Sequence, residues 1–169
     1  VFSNVNINAA NAVYLHMDSG YVQENMEEYT YEISGEISAK RVNVSGNTWK
    51  VDKISASYMD VQGSAYSSTA QTSCNVNTAL ECDIVAASNG FVSLGEGAKL
   101  IVEELTLDNA QVSVSGSMNR NGILTAGTIN VKKPYTAGAG PSVVNYGILK
   151  ADKLIASSGN IFNASTVYI

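Results

Sequence analysis

Few side chains in this chain combine the chemistry and the spacing that catalysis requires. The single histidine, His16, follows Leu15 in an alternating apolar pattern, which predicts that its ring faces solvent. A lone histidine without a serine or cysteine nucleophile beside it is more often a surface residue than a general base. We therefore expect no catalytic residue here.

Two adjacent acids, Glu103–Glu104, resemble the carboxylate pair of an acid–base catalyst. Aligned copies of a repeat place this pair at the same point as Gly127–Thr128 and Asp152–Lys153. No column of acids results, so the second carboxyl group that such chemistry needs is missing. The sequence favours a solvated corner.

Both cysteines, Cys74 and Cys82, fall in a segment that interrupts the repeat, Gly63–Asp83. A disulfide between them would close a short loop and stabilise it by about 2–3 kcal/mol, and it would indicate an oxidising compartment. The alternative is two unpaired thiols in a reducing compartment. A metal site is disfavoured because the chain has one histidine and no CxxC motif. We expect the disulfide, and no cofactor.

The elements that position these residues repeat along the chain. "NGILTAGTINV" returns further along as "YGILKADKLIA", with the same apolar skeleton and different polar residues. In each copy, apolar residues alternate with polar ones, except for one gap of two residues in the middle. The skeleton occurs at Ile37, Ala39, Val42, Val44; Ile54, Ala56, Met59, Val61; Leu100, Val102, Leu105, Leu107; Leu124, Ala126, Ile129, Val131; Leu149, Ala151, Leu154, Ala156; and Phe162, Ala164, Val167, Ile169.

Alternation with period two is typical of a strand with one buried face, and the two-residue gap indicates a corner between two short strands. The copies that begin at Leu100, Leu124 and Leu149 are 24 and 25 positions apart, and this recurrence favours a stacked array with coils of about 24–25 residues. We predict an all-β, single-domain β-solenoid, or parallel β-helix, over residues 1–169. An antiparallel β-sandwich is the alternative. Specifically, Leu124 should stack on Leu149, and Ala126 on Ala151.

Two segments break the rhythm and are predicted to lie on the side of the stack. The first, Asp18–Glu32, is acidic and has a helical spacing of apolar residues; the second is Gly63–Asp83. Insertions in repeat proteins form loops, and loops often carry function. We predict that Tyr21, Tyr29 and Tyr66 contact a glycan or protein ligand, because rigid aromatic side chains are common in binding hot spots. Trp49 is a further side chain that could stack on a sugar ring.

Composition limits the classes of partner. The net charge is −5, and lysine and arginine do not cluster, which argues against nucleic acid. The sequence lacks the long apolar run that would predict a membrane span. Only 15% of residues are charged, a low value that is common in secreted proteins. The chain starts and stops inside its own repeat, so we expect it to be part of a longer protein.

The segments "GILTAGTINVKK" and "VNYGILKADKLIASSGNIFNASTVYI" resemble coils of large surface or secreted proteins of Gram-negative gut bacteria, including the type that contains an LruC domain. The resemblance covers Phe91 to Ile169. It implies an extracytoplasmic solenoid module and supplies no catalytic residues. The expected function is therefore a non-catalytic extracellular spacer or adhesion module, and the alternative is a carbohydrate-active enzyme or glycan-binding domain on the same scaffold.

Overall fold

The computed structural model describes residues 2–16, 30–46, 48–63, 72–133, 135, 141–156 and 161–169. These residues form one sheet of parallel strands and contain no helix. The strands are β1 (Phe2–Ser3), β2 (Ile7–His16), β3 (Thr30–Ser45), β4 (Thr48–Gln62), β5 (Thr72–Ser88), β6 (Gly90–Leu94), β7 (Lys99–Asp108), β8 (Gln111–Val114), β9 (Ile123–Lys133), β10 (Val143–Asn145), β11 (Ile148–Ala156), β12 (Ile161–Asn163) and β13 (Thr166–Tyr168). The fold is all-β, as predicted, and the parallel pairing excludes the antiparallel sandwich.

Strand register divides the sheet into three walls. Wall 1 contains β1 and the first parts of β3, β4 and β5, followed by β6, β8, β10 and β12. Wall 2 contains the middle segments, from residues 7–9 to β13. Wall 3 contains the last segments, from residues 12–16 to residues 153–156. The long strands β3, β4 and β5 pass through all three walls, and the sheet is nearly closed, which is consistent with a β-helix or solenoid-like fold.

Inward-facing residues of the three walls form one apolar core. Leu149 pairs with Leu124 and Ala151 with Ala126, and all four are buried, so the predicted column is confirmed. The two-residue gap lies between walls 2 and 3, where it restores the inward phase after a corner. Wall 3 has a continuous inward column: Val13, Val42, Met59, Val85, Leu105, Ile129 and Leu154.

The predicted repeat spacing applies to only part of the chain. Leu100, Leu124 and Leu149 follow it, and they are neighbours in successive strands. In contrast, Thr30 pairs with Thr48 across a shorter stretch of chain, and Val112 pairs with Val143 across a longer one. The length of chain between paired residues therefore varies while the strand register is kept.

The last copy of the skeleton has a different phase from the one predicted. Val167 pairs with Leu149, so it occupies the first apolar position of the copy rather than the third. Phe162 pairs with Val144 on wall 1 and is exposed. The final copy therefore begins on wall 1 and reaches wall 2 only at β13.

More than half of the second predicted side segment is strand. Strand β5 begins at Thr72, so the part of Gly63–Asp83 from residue 72 onward belongs to walls 1 and 2. Likewise, the last residues of Asp18–Glu32 begin β3 at Thr30. The rest of the two segments, residues 18–29 and 64–71, lies outside the described residues. The helical spacing predicted for the first segment falls there too.

Asparagine and glycine build the corner between walls 3 and 1. Asn89 and Asn109 have positive φ, at 52° and 51°, and Asn109 Nδ2 donates a 2.7 Å hydrogen bond to Asn89 Oδ1. Asparagine tolerates this left-handed conformation better than other residues with a Cβ. Gly63 lies against the same corner, where a Cβ would overlap the carbonyl oxygen of Asn89. Equivalent corners of neighbouring strands lie against one another. They determine the residue at which the chain enters wall 1 again.

Candidate functional site

The structure does not bring the predicted site residues together. Tyr21, Tyr29 and Tyr66 lie outside the described residues, so their role stays a prediction. His16 is exposed at the end of β2, as expected, and its Nδ1 lies 2.7 Å from Ser45 Oγ.

The acidic pair has the solvated position that the repeat predicts. Glu103 and Glu104 are both exposed. In the sheet, Glu104 lies between Ile84 and Thr128, and neither neighbour is an acid. The described residues also include no group of three or more His, Cys, Asp or Glu side chains close enough to hold a metal ion.

The expected disulfide is wrong, because Cys74 and Cys82 are free and buried in the core. Both belong to β5, Cys74 on wall 1 and Cys82 on wall 2. An extended strand rises about 3.3 Å per residue, whereas a disulfide needs Cα atoms within about 7 Å. Burial raises the pKa of the Cys74 thiol to about 12 and that of Cys82 to about 11. Both thiols therefore remain protonated at neutral pH and are poor nucleophiles.

The outward face of wall 3 holds a cluster of polar and aromatic side chains on β2, β3 and β4. We call it the polar platform, and its rows run across the three strands. In register, Ala12 lies beside Arg41 and Tyr58, Tyr14 beside Asn43 and Asp60, and His16 beside Ser45 and Gln62. The alternation that buries Val13, Val42 and Met59 on the inside presents the residues of these rows on the outside.

Arg41 links the platform. Its Nε donates a 3.0 Å hydrogen bond to Asn43 Oδ1, and its Nη2 lies 3.6 Å from Asp60 Oδ2. The guanidinium carbon lies 4.6 Å from the centre of the Tyr58 ring, within the range of a cation–π contact. Gln62 Nε2 donates a 2.7 Å hydrogen bond to the same oxygen of Asp60. Five side chains on two strands are thus held in one network.

Asp60 and Tyr14 differ sharply in exposure. Asp60 is 8% exposed, and its carboxylate has two fixed partners, whereas Tyr14 is 72% exposed. Between them lies Asn43, whose Nδ2 is buried and has no hydrogen-bond partner among the described residues. The platform therefore has fixed hydrogen-bonding groups on one side and a free aromatic face on the other. This combination can hold a polar ligand that also has an apolar face.

Sequence reasoning misses this cluster, because the tyrosines are scattered along the chain and the row through Asn43 and Asp60 has no regular composition. A signal is nevertheless present. Aligning "RVNVS" with "YMDVQ" by their inward residues places Arg41 beside Tyr58. Trp49, the other aromatic candidate, is a core residue whose ring centre lies 5.0 Å from that of Tyr31 and whose Nε1 donates to the Ser45 carbonyl.

Comparison with known proteins gives no relative: no family model, no curated protein and no solved structure matches this chain. Among the described residues, no helix has the length and apolar character needed to span a membrane.

Proposed function

We propose that this chain is a β-solenoid segment of an extracellular surface protein and acts as a non-catalytic spacer or adhesion module. The observation that carries the proposal is the inward column of wall 3, which continues in register from Val13 to Leu154. Seven strands at about 4.8 Å spacing give a stack about 29 Å long. Such a stack is suited to holding binding groups at a fixed distance from an attachment point.

The adhesion role is supported by the places where chain segments leave wall 3. β2 ends at His16 and β4 ends at Gln62, and both residues pair with Ser45 between them. His16 and Gln62, the strand ends that precede the segments with Tyr21, Tyr29 and Tyr66, therefore lie two strands apart, about 10 Å from each other. Tyr21, Tyr29 and Tyr66 remain the proposed contacts with a glycan or a surface protein.

The extracellular assignment rests on composition and on the resemblance of residues 91–169, because the free cysteines remove the disulfide argument. A glycan-binding domain or a carbohydrate-active enzyme on the same scaffold is the second candidate. The polar platform favours binding within this second class. An acidic row beside a lysine or arginine would favour the enzyme, but no outward row of the described residues has acids on three successive strands.

The test measures binding of the protein to immobilised glycans and surface proteins, together with a hydrolase and lyase screen on the same glycans. Binding without turnover is the expected result, and turnover would replace the proposal with the enzyme. A variant in which residues 64–71 are replaced by a Gly-Ser bridge tests the predicted loop contact. The replacement must stop before Thr72, because a longer one would remove the start of β5 from the core.

A further inference from the structure

We propose that the polar platform is a binding site for a neutral pyranose sugar, with the ring lying over Asn43 between Tyr14 and Asp60. This inference rests on the proposed role as an adhesion module and names a site and ligand class for it. It needs no residue outside the described part of the chain.

The hydrogen-bonding side of the platform fits a sugar diol. Arg41 has N–H donors and is half exposed, while Asp60 Oδ2 lies 3.6 Å from Arg41 Nη2 and the Asp60 side chain is 11% exposed. Two adjacent hydroxyl groups can each accept from Arg41 or donate to Asp60. Contacts from Tyr58, Asn43 and Gln62 hold the two charged groups in place, so little side-chain entropy is lost on binding.

The aromatic side of the platform supplies the apolar contact. Tyr14 lies opposite Asn43 on the neighbouring strand and is largely exposed. Tyr14 and Asp60 are two strand spacings apart, about 10 Å between Cα atoms. A pyranose ring that lies over Asn43 can place its C–H face against the tyrosine and its hydroxyl edge toward Arg41 and Asp60. Asn43 is partly buried and its Nδ2 is covered, so the sugar would rest on this side chain.

Charge selects a neutral ligand over an acidic one. The formal charges of Arg41 and Asp60 cancel, and Arg41 already has a carboxylate partner. An acidic sugar would place a second carboxylate next to the nearly buried Asp60, and like charges at this distance repel. The Asp60 carboxylate thus distinguishes neutral from acidic glycans, which the aromatic contact alone would bind equally.

The experiment is a titration of the isotopically labelled protein with methyl β-galactopyranoside, methyl α-mannopyranoside and methyl β-glucopyranoside, followed by amide chemical shifts. Glucuronic acid is the acidic comparison. We expect at least one neutral glycoside to shift the amides of Tyr14, Asn43 and Asp60. Tyr14→Ala and Asp60→Asn should each weaken binding about tenfold.

The matched control is Tyr168→Ala, which removes an exposed tyrosine with a lysine near its ring on wall 2 and should change affinity less than twofold. Urea unfolding of each variant separates lost binding from lost folding. If the glycoside binds both Tyr14→Ala and Asp60→Asn as tightly as the unchanged protein, the site lies elsewhere. The proposed adhesion module would still be supported. Preference for glucuronic acid would overturn the neutral-sugar assignment. No shift with any sugar would remove the platform as a site, while binding to immobilised surface proteins would still support the module.

Discussion

The side-chain amide of Asn109 donates a 2.7 Å hydrogen bond to Asn89, and both residues have positive φ at equivalent corners of neighbouring strands. One residue type thus supplies both the backbone conformation and the contact between layers. Since alanine is strained at positive φ and lacks the amide, Asn109→Ala should lower the free energy of unfolding by about 2–3 kcal/mol.

Asn109→Gly separates the two contributions. Glycine adopts the positive φ without strain, so the cost is limited to the side-chain contacts of Asn109, and the expected loss is about 1 kcal/mol. Urea unfolding at pH 7 measures both variants. Equal losses for alanine and glycine would show that the left-handed conformation contributes nothing at this corner.

The column through Leu124 should be the most sensitive part of the core. Leu124 is fully buried between Leu100 and Leu149, and Leu124→Ala should cost about 2–5 kcal/mol through lost burial and a residual cavity. Ile101→Ala is the matched control, since it removes a similar aliphatic side chain from the outward face of the same wall. Its expected effect in urea unfolding is about 0.5 kcal/mol or less. A loss of equal size for the two variants would contradict the assigned faces of wall 2.

The cysteines should behave as buried thiols. Cys74 is fully buried and Cys82 is 7% exposed, so iodoacetamide should label neither of them in native protein within minutes. In urea without reductant, intact-mass measurement should show two adducts, since no bridge protects the sulfurs. If adducts form only after reductant is added, the two cysteines are joined in a disulfide.

Stability should fall at alkaline pH. Burial raises the pKa of both thiols from 9.0, to about 12 for Cys74 and about 11 for Cys82. Above pH 9 the unfolded chain loses these protons while the folded chain keeps them. The stabilisation is therefore complete below pH 9 and decreases as the pH rises toward the folded pKa values. Each thiol contributes a slope of about 1.4 kcal/mol per pH unit.

Urea unfolding between pH 8 and pH 10.5 measures this slope. Cys74→Ala lowers stability at every pH but should flatten the dependence, because one of the two thiols is gone. All other titratable side chains are present in both proteins, so the difference between the two curves reports on Cys74. Parallel curves would mean that the Cys74 thiol ionises as easily in the folded protein as in the unfolded one.

Much of the stack could be predicted because its signal is local. The apolar skeleton fixes which residues face inward, and strands in register align equal positions, so Leu124 over Leu149 follows from spacing alone. The same skeleton is present at Leu80, Cys82, Val85 and Ala87, with cysteine at the position that other copies fill with alanine or valine. When the cysteines are interpreted as a disulfide in a loop, this copy of the skeleton is missed. Free cysteine packs as a small apolar residue and fits the inward position.

The polar platform could not be predicted in the same way. Register between β3 and β4, as between Arg41 and Tyr58, depends on a shorter offset along the chain than the one that relates Leu124 to Leu149. The copies at Ile37 and Ile54 give this offset. The outward residues that they align differ in type from one strand to the next, so the sequence pattern does not mark the Tyr58 ring and the Arg41 guanidinium as parts of one network.

At the corner between walls 3 and 1, the number of residues that connect two strands does not determine which strands pair. β5 ends at Ser88 and β6 starts at Gly90, whereas β4 ends at Gln62 and β5 starts only at Thr72; nevertheless, Thr72 and Gly90 are paired. A peptide inserted at this corner, with Asn89 and Asn109 retained, should therefore leave strand pairing intact. The choice of strand would set its height in steps of about 4.8 Å. The protein is thus a scaffold on which several unrelated epitopes could be displayed in a chosen order and at a chosen separation.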